Sequence, residues 1–307
     1  MEHEKEDERG KVIKWLEECD KNPNPIKPWE WDFKNCYTDS LPKDNITAFL
    51  KYKNGEFKDN TSDFNITEKA GFDADCDKEA IGLYQVLGWQ NSATAITRGE
   101  TMNSFLTTFK CALALEQSSD CDTQSDKLVI KSGKKLPFSD LYDKEKNIEE
   151  QPYMAFDVVK NNKEAFRKFA KLTHTIGNFT VLPHWMNTGR SNLSKDYWDI
   201  FLLSLQEWLH LISPTSEAWI NFIELYYLQP YVSKDYQIEP FWKNHSYTNP
   251  ILKKKEDFPI FLNAVNERIE ERGKYMIKQI CDRLNRTDFN FYKEIRDMDK
   301  IRFSDEF

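Results

Sequence analysis

The feature that most constrains this chain is a polar stretch, Lys171 to Asn192, set between two segments of helical character. Residues 162–172 have the spacing of a charged amphipathic helix, and residues 193–212 form the most apolar segment of the chain. Apolar residues run nearly all round that second segment, which predicts a central helix packed on several sides. The stretch between them is pinned by Ile176, Phe179, Val181, Leu182 and Trp185, yet carries His174, Asn178, Asn187, Arg190 and Asn192. Polar side chains among apolar anchors have two readings. They line a site, or they cap helices and stitch a buried crossover with nothing bound.

Length and composition bound the answer. With 307 residues, 39% of them hydrophobic, the chain can bury a substantial core. A net charge of -8 argues against a protein wrapped in nucleic acid, which needs a surplus of Lys and Arg on at least one face. The six cysteines are scattered, with no Cys-x-x-Cys pair, and read as free thiols rather than a disulfide framework or zinc site. The charged first residues lack the apolar centre of a signal peptide, and no apolar run approaches the ~20 residues needed to span a bilayer. A cytosolic protein away from membranes is therefore expected, with neither metal nor cofactor.

Along the chain, residues 11–19 read as a short helix stopped by Pro23, Pro25 and Pro28. Trp29, Trp31 and Phe33 alternate, which suits an extended strap over the body of the protein. Asp77 and Gly88 bracket a helix over 78–87, and Thr101 is placed to cap another over 102–116. Small β elements are expected near 127–140 and 176–182. Ser213-Pro-Thr-Ser starts a further helix, another is expected over about 259–286, and the charged tail after Thr287 is expected to fray. The fold class predicted is mainly α with a small β element. It is read as one domain, residues 1–307, with an irregular strap at about 20–70 and a helical core at about 78–286.

Three groups of residues carry candidate chemistry. The run Asp73-Ala-Asp-Cys-Asp resembles the start of a calcium loop, but Lys78 stands where that loop needs Gly. A capped helix start explains the run better. Arg167 and His174 have the Arg-x(4–6)-His spacing of metal-independent HEPN-type ribonucleases, whose two side chains work on the 2′-hydroxyl and the scissile phosphate. Lys168 departs from the small polar residue usual in those enzymes. Last, Thr97-Arg-Gly-Glu-Thr-Met-Asn-Ser-Phe and the crossover each contain Gly, amide or hydroxyl side chains and one arginine, and each is read as lying just before a helix. Free N–H groups at a helix start favour an anion. If the two motifs meet, Arg98, Glu100, Thr101, Asn103, Asn178, Asn187, Arg190 and Asn192 form a pocket for a small anionic ligand.

These two motifs, in this order, resemble a family of bacterial proteins of unknown function over approximately residues 70–285. The resemblance implies a shared fold and transfers no reaction. Ile176-Gly-Asn-Phe-Thr-Val-Leu-Pro followed by Asn187 and Asn192 is also similar to the end of the HNH-type nuclease domain of modification-dependent restriction enzymes. That nuclease needs an upstream histidine base, and upstream of His174 the chain has only His3. The first functional expectation is a polar pocket for an anionic, nucleotide-like ligand. Its alternatives are a nuclease of phage defence or toxin type using Arg167 and His174, and a non-catalytic structural or partner-binding protein.

Overall fold

The computed structural model describes residues 2–21, 23, 25–33, 46, 74–90, 97–105, 108, 109, 112, 113, 116, 127–129, 135–141, 143, 146–183, 198–239 and 254–307. The helices are α1 (Glu2–Cys19), α2 (Lys78–Leu87), α3 (Asp157–Asn161), α4 (Lys163–Leu172), α5 (Trp198–Ile212), α6 (Ser216–Leu225) and α7 (Asp257–Leu284). Among the described residues, four short strands, β1 (Thr97–Thr101), β2 (Lys127–Val129), β3 (Lys135–Pro137) and β4 (Phe179–Pro183), form two antiparallel ladders, β1–β4 and β2–β3. The protein is mainly helical with small β elements, as its periodicity predicts. Among the described residues, no helix is long and apolar enough to cross a membrane.

The spine is α7, 28 residues long. Pro259 sits in its first turn, where a missing N–H costs nothing. Asn285, in the left-handed region at φ 57°, ends it, and Arg286 N–H returns to the Cys281 carbonyl at 2.9 Å. On its exposed side, Glu270–Lys274 and Lys278–Asp282 pair at i,i+4. Its buried stripe serves two clusters in succession. Phe258, Phe261, Leu262, Val265 and Ile269 join Phe105, Phe109, Phe166, Phe169, Leu202, Leu205 and Ile223. Met276, Ile277 and Ile280 join Trp15, Leu16, Trp29, Phe33, Leu83, Tyr84, Ile176 and Phe179. Each fully buried Phe or Leu contributes about 1.5–3 kcal/mol relative to exposure, so both clusters matter to stability.

Local signals read from the sequence reappear. Asp77 Oδ1 accepts from Glu79 N–H at 3.2 Å, and Gly88 closes α2 at φ 77°. Trp29, Trp31 and Phe33 are buried, although Pro28–Glu30 is a 3-10 turn rather than extended backbone, and Lys171 of α4 pairs with Glu30 to hold the segment. The carbonyl of His174 accepts from Phe33 N–H at 3.0 Å.

Four expectations are corrected. Residues 97–101 form a strand, not a loop before a helix, because they pair with 179–183; helical backbone is seen at Phe105, Thr108, Phe109, Ala112, Leu113 and Glu116. The helix read over 11–19 begins nine residues earlier, at Glu2. α5 is not the central helix, a place that α7 takes: Leu202 and Leu205 are buried, but Leu211 is 83% exposed and Trp208 only half-buried. The tail does not fray: Phe289, Phe291, Ile295 and Ile301 are buried, and Asp20 accepts from Asn290 N–H at 3.0 Å.

Candidate functional site

The crossover from α4 to β4 is built from local hydrogen bonds. Thr173 Oγ1 donates to the Phe169 carbonyl and Thr175 Oγ1 to the Leu172 carbonyl, each at 2.8 Å, which turns the chain out of the helix. A single 3-10 turn, Ile176–Asn178, then leads into β4. β4 lies against β1 in a register that sets Arg98 opposite Leu182, Gly99 opposite Val181 and Thr101 opposite Phe179. The two motifs singled out in the sequence therefore do meet.

Their polar groups face each other. Asn178, fully buried, accepts at Oδ1 from the backbone N–H and the Nδ2 of Asn103, both at 3.0 Å. Its Nδ2 donates to the carbonyls of Asn103 and Thr173, both at 2.8 Å. Met102 N–H donates to the Asn178 carbonyl at 2.8 Å, extending the ladder. Thr101 Oγ1 donates to Asp75 Oδ2 at 2.6 Å, so it is no helix cap. Glu100 is buried beside them, 8% exposed. Two glycines permit this closeness. A Cβ on Gly99 would stand 1.8 Å from the Asp75 carbonyl oxygen, and one on Gly177 2.0 Å from that of Ile269.

Arg272 sits at the seam of the two clusters, fully buried. Among the described residues its guanidinium donates only to backbone carbonyls: Gly177 at 2.8 Å and Phe179 at 2.5 Å from Nη1, Tyr227 at 2.9 Å from Nε, and Tyr226 at 2.9 Å from Nη2. The Trp89 ring lies 5.6 Å from its guanidinium carbon. Burial pulls its pKa down to about 10, which still leaves it charged at neutral pH. The sequence held a signal for this residue. The apolar spacing Val265, Ile269, Met276, Ile280 places Arg272 on the buried stripe of α7, although it stands in the charged run Glu270-Glu-Arg-Gly-Lys.

The Arg167 and His174 side chains have unlike surroundings. Arg167 is partly exposed and pairs with Glu164 at 3.3 Å. His174 is 7% exposed, with Nδ1 3.9 Å from Asp32 Oδ1. Asn187, Arg190 and Asn192, with Trp185, lie outside the described residues, as does the side chain of Arg98.

The sequence reading missed a concave feature beside α5. A half-open cleft of about 500 Å³ lies between α5, α6 and the turn Ser233–Gln237. Its walls include Glu207, His210, Trp219, Ile220, Asp235 and Tyr236. Trp219 Nε1 donates to the Tyr236 carbonyl at 2.8 Å, and Tyr236 Oη donates to Glu224 Oε1 at 2.6 Å. Tyr236 is held at φ 58°, an unusual value for a side chain of that bulk. Nothing in the order of residues distinguishes these positions, because they converge from three elements.

No known protein family, curated protein or solved structure matches this chain.

Proposed function

We propose that this protein works by binding rather than catalysis, and that the crossover is its structural brace. The observation that supports this reading is the commitment of Asn178: its side-chain oxygen and both amide hydrogens serve Asn103 and Thr173. A buried amide satisfied in this way rigidifies the fold and leaves no donor for a ligand. The family that the two motifs resemble would then share a brace. A cytosolic setting belongs to the same proposal, since reducing conditions suit Cys19 and Cys281, both free and buried.

One observation favours a second reading, the anionic pocket. The β1–β4 register lays the strand carrying Arg98 beside the strand that leads toward Arg190. An anion held by those two arginines remains a proposal distinct from the brace.

One experiment separates these readings from the nuclease. Purified protein is titrated with inorganic phosphate, AMP and ATP by calorimetry, and separately incubated with single-stranded RNA in excess EDTA. The binding reading expects intact RNA for the parent and for His174→Ala alike. RNA cleavage by the parent and not by His174→Ala would overturn it in favour of the ribonuclease. Saturable nucleotide binding that disappears in Arg98→Ala and Arg190→Ala would establish the anionic pocket.

A further inference from the structure

We propose that the cleft between α5 and α6 binds a small organic cation, an amine carried on a flat apolar body. The inference rests on the binding reading above and supplies its ligand class. Size comes first: about 500 Å³ lies within the ~300–1,000 Å³ usual for small-molecule sites.

The walls then choose the chemistry. Trp219 and Tyr236 present aromatic surface, and both are fixed before any ligand arrives. The indole N–H is spent on the Tyr236 carbonyl, and the Trp219 ring stacks on Phe222 with centroids 6.1 Å apart and planes 6° from parallel. The Tyr236 ring is held at its hydroxyl by Glu224 and packs in a T-shaped pair with Phe303, centroids 5.5 Å apart. Pre-set aromatic walls spare a ligand the entropic cost of ordering them. Leu209 and Ile220 add aliphatic surface.

Charge decides the sign. Among the described residues, the side chains lining the cleft include Glu207 and Asp235 and neither lysine nor arginine. The nearest basic residue in sequence, Lys234, pairs with Glu306 at 3.3 Å. His210 also lines the cleft, on the same face as Glu207, and adds hydrogen-bonding capacity beside the carboxylate. Two carboxylates at the margin of an aromatic cleft attract an ammonium group through charge and through the ring faces together. An anionic ligand meets the wrong sign here, which sets this site apart from any phosphate site near Arg98.

The test is calorimetric titration of the full chain with phenethylamine and tryptamine. 2-Phenylethanol serves as the neutral counterpart and 3-phenylpropionate as the anionic one. The amines are expected to bind saturably, and about tenfold or more tighter than the neutral alcohol. The double variant Glu207→Gln, Asp235→Asn changes exposed side chains and should keep the parent's melting temperature while losing about tenfold or more in amine affinity. Absence of amine binding overturns the cleft proposal, as does equal binding by alcohol and amine, or by parent and double variant. Those failures leave the binding reading of the whole protein standing. Conversion of an amine to a new product, seen by mass spectrometry, would overturn the binding reading and leave the cleft in place.

Discussion

Arg272 Nη1 donates to the Gly177 carbonyl at 2.8 Å, so a side chain of the spine holds the crossover by its backbone. No carboxylate is needed, because carbonyl oxygens around the cation supply its compensation. The Tyr226 and Tyr227 carbonyls, just past the end of α6, lie where that helix's dipole is negative. Replacing Arg272 by Met keeps much of the volume but removes the donor that the carbonyls of Gly177, Phe179, Tyr226 and Tyr227 share at this buried seam. The expected loss is on the order of 3–5 kcal/mol, from breaking a buried charged network on one side only. Urea unfolding of Arg272→Met checks it. Arg272→Lys should recover only part, since a single ammonium cannot span all four carbonyls. A midpoint equal to the parent's would show that the seam tolerates those carbonyls unpaired.

The glycines give a graded contrast. Gly177→Ala places a methyl 2.0 Å from the Ile269 carbonyl oxygen and 2.9 Å from Gly273 N, both backbone atoms that cannot swing aside. The crossover must then leave α7, and the Arg272 bonds lengthen with it. A destabilisation of about 3 kcal/mol or more is expected. Gly10→Ala, in α1, meets nothing within 4 Å. It should stabilise by up to about 1 kcal/mol, the helix-interior difference between the two residues. Thermal unfolding of both variants tests the pair, and equal shifts would deny that close backbone contact is what Gly177 provides.

Much of the fold was legible because its signals are local. The Asp77 cap, the Gly88 terminus, the alternating Trp29, Trp31 and Phe33, and the stripe of α7 each express a period or a backbone preference within a few residues. The β1 strand was not legible. Thr97–Thr101 has the composition of a loop, and only its partner, 78 residues on at Phe179 to 86 residues on at Pro183, makes it a strand. The tail misled for a related reason, since Phe289, Phe291, Ile295 and Ile301 are spaced among charges and gain their burial from distant elements. At the candidate site, the sequence identified Asn103 and Asn178 as notable residues without revealing that they bond each other. The cleft of Glu207, Trp219 and Asp235 carried no motif at all.

Alkaline pH should expose the buried tyrosines. Burial pushes Tyr231 up to about 12, against the pull of Arg272 and Arg268. Tyr236 rises to about 12 because its hydroxyl donates to Glu224 and, secondarily, because it is partly covered. Tyr292 rises to about 12 through burial and then through its bond to Asp282. In the unfolded chain all three lose their protons near about pH 10. The folded chain therefore holds protons that the unfolded chain has released, so their stabilisation is complete below about pH 10 and disappears as pH climbs toward the folded values. Arg272 acts in the opposite sense, since burial lowers its pKa and the cost of burying its charge fades above about 10. The buried thiols of Cys19 and Cys281, also pushed up by burial, add a loss that begins near about pH 9, so the urea midpoint should hold to about pH 8.5, decline from there and fall more steeply beyond about pH 10. Tyr236→Phe removes one of the three titrations and should make the decline shallower. Tyrosinate absorbance in the native state reads the same groups directly, and three tyrosines ionising near about pH 10 without unfolding would sink the prediction.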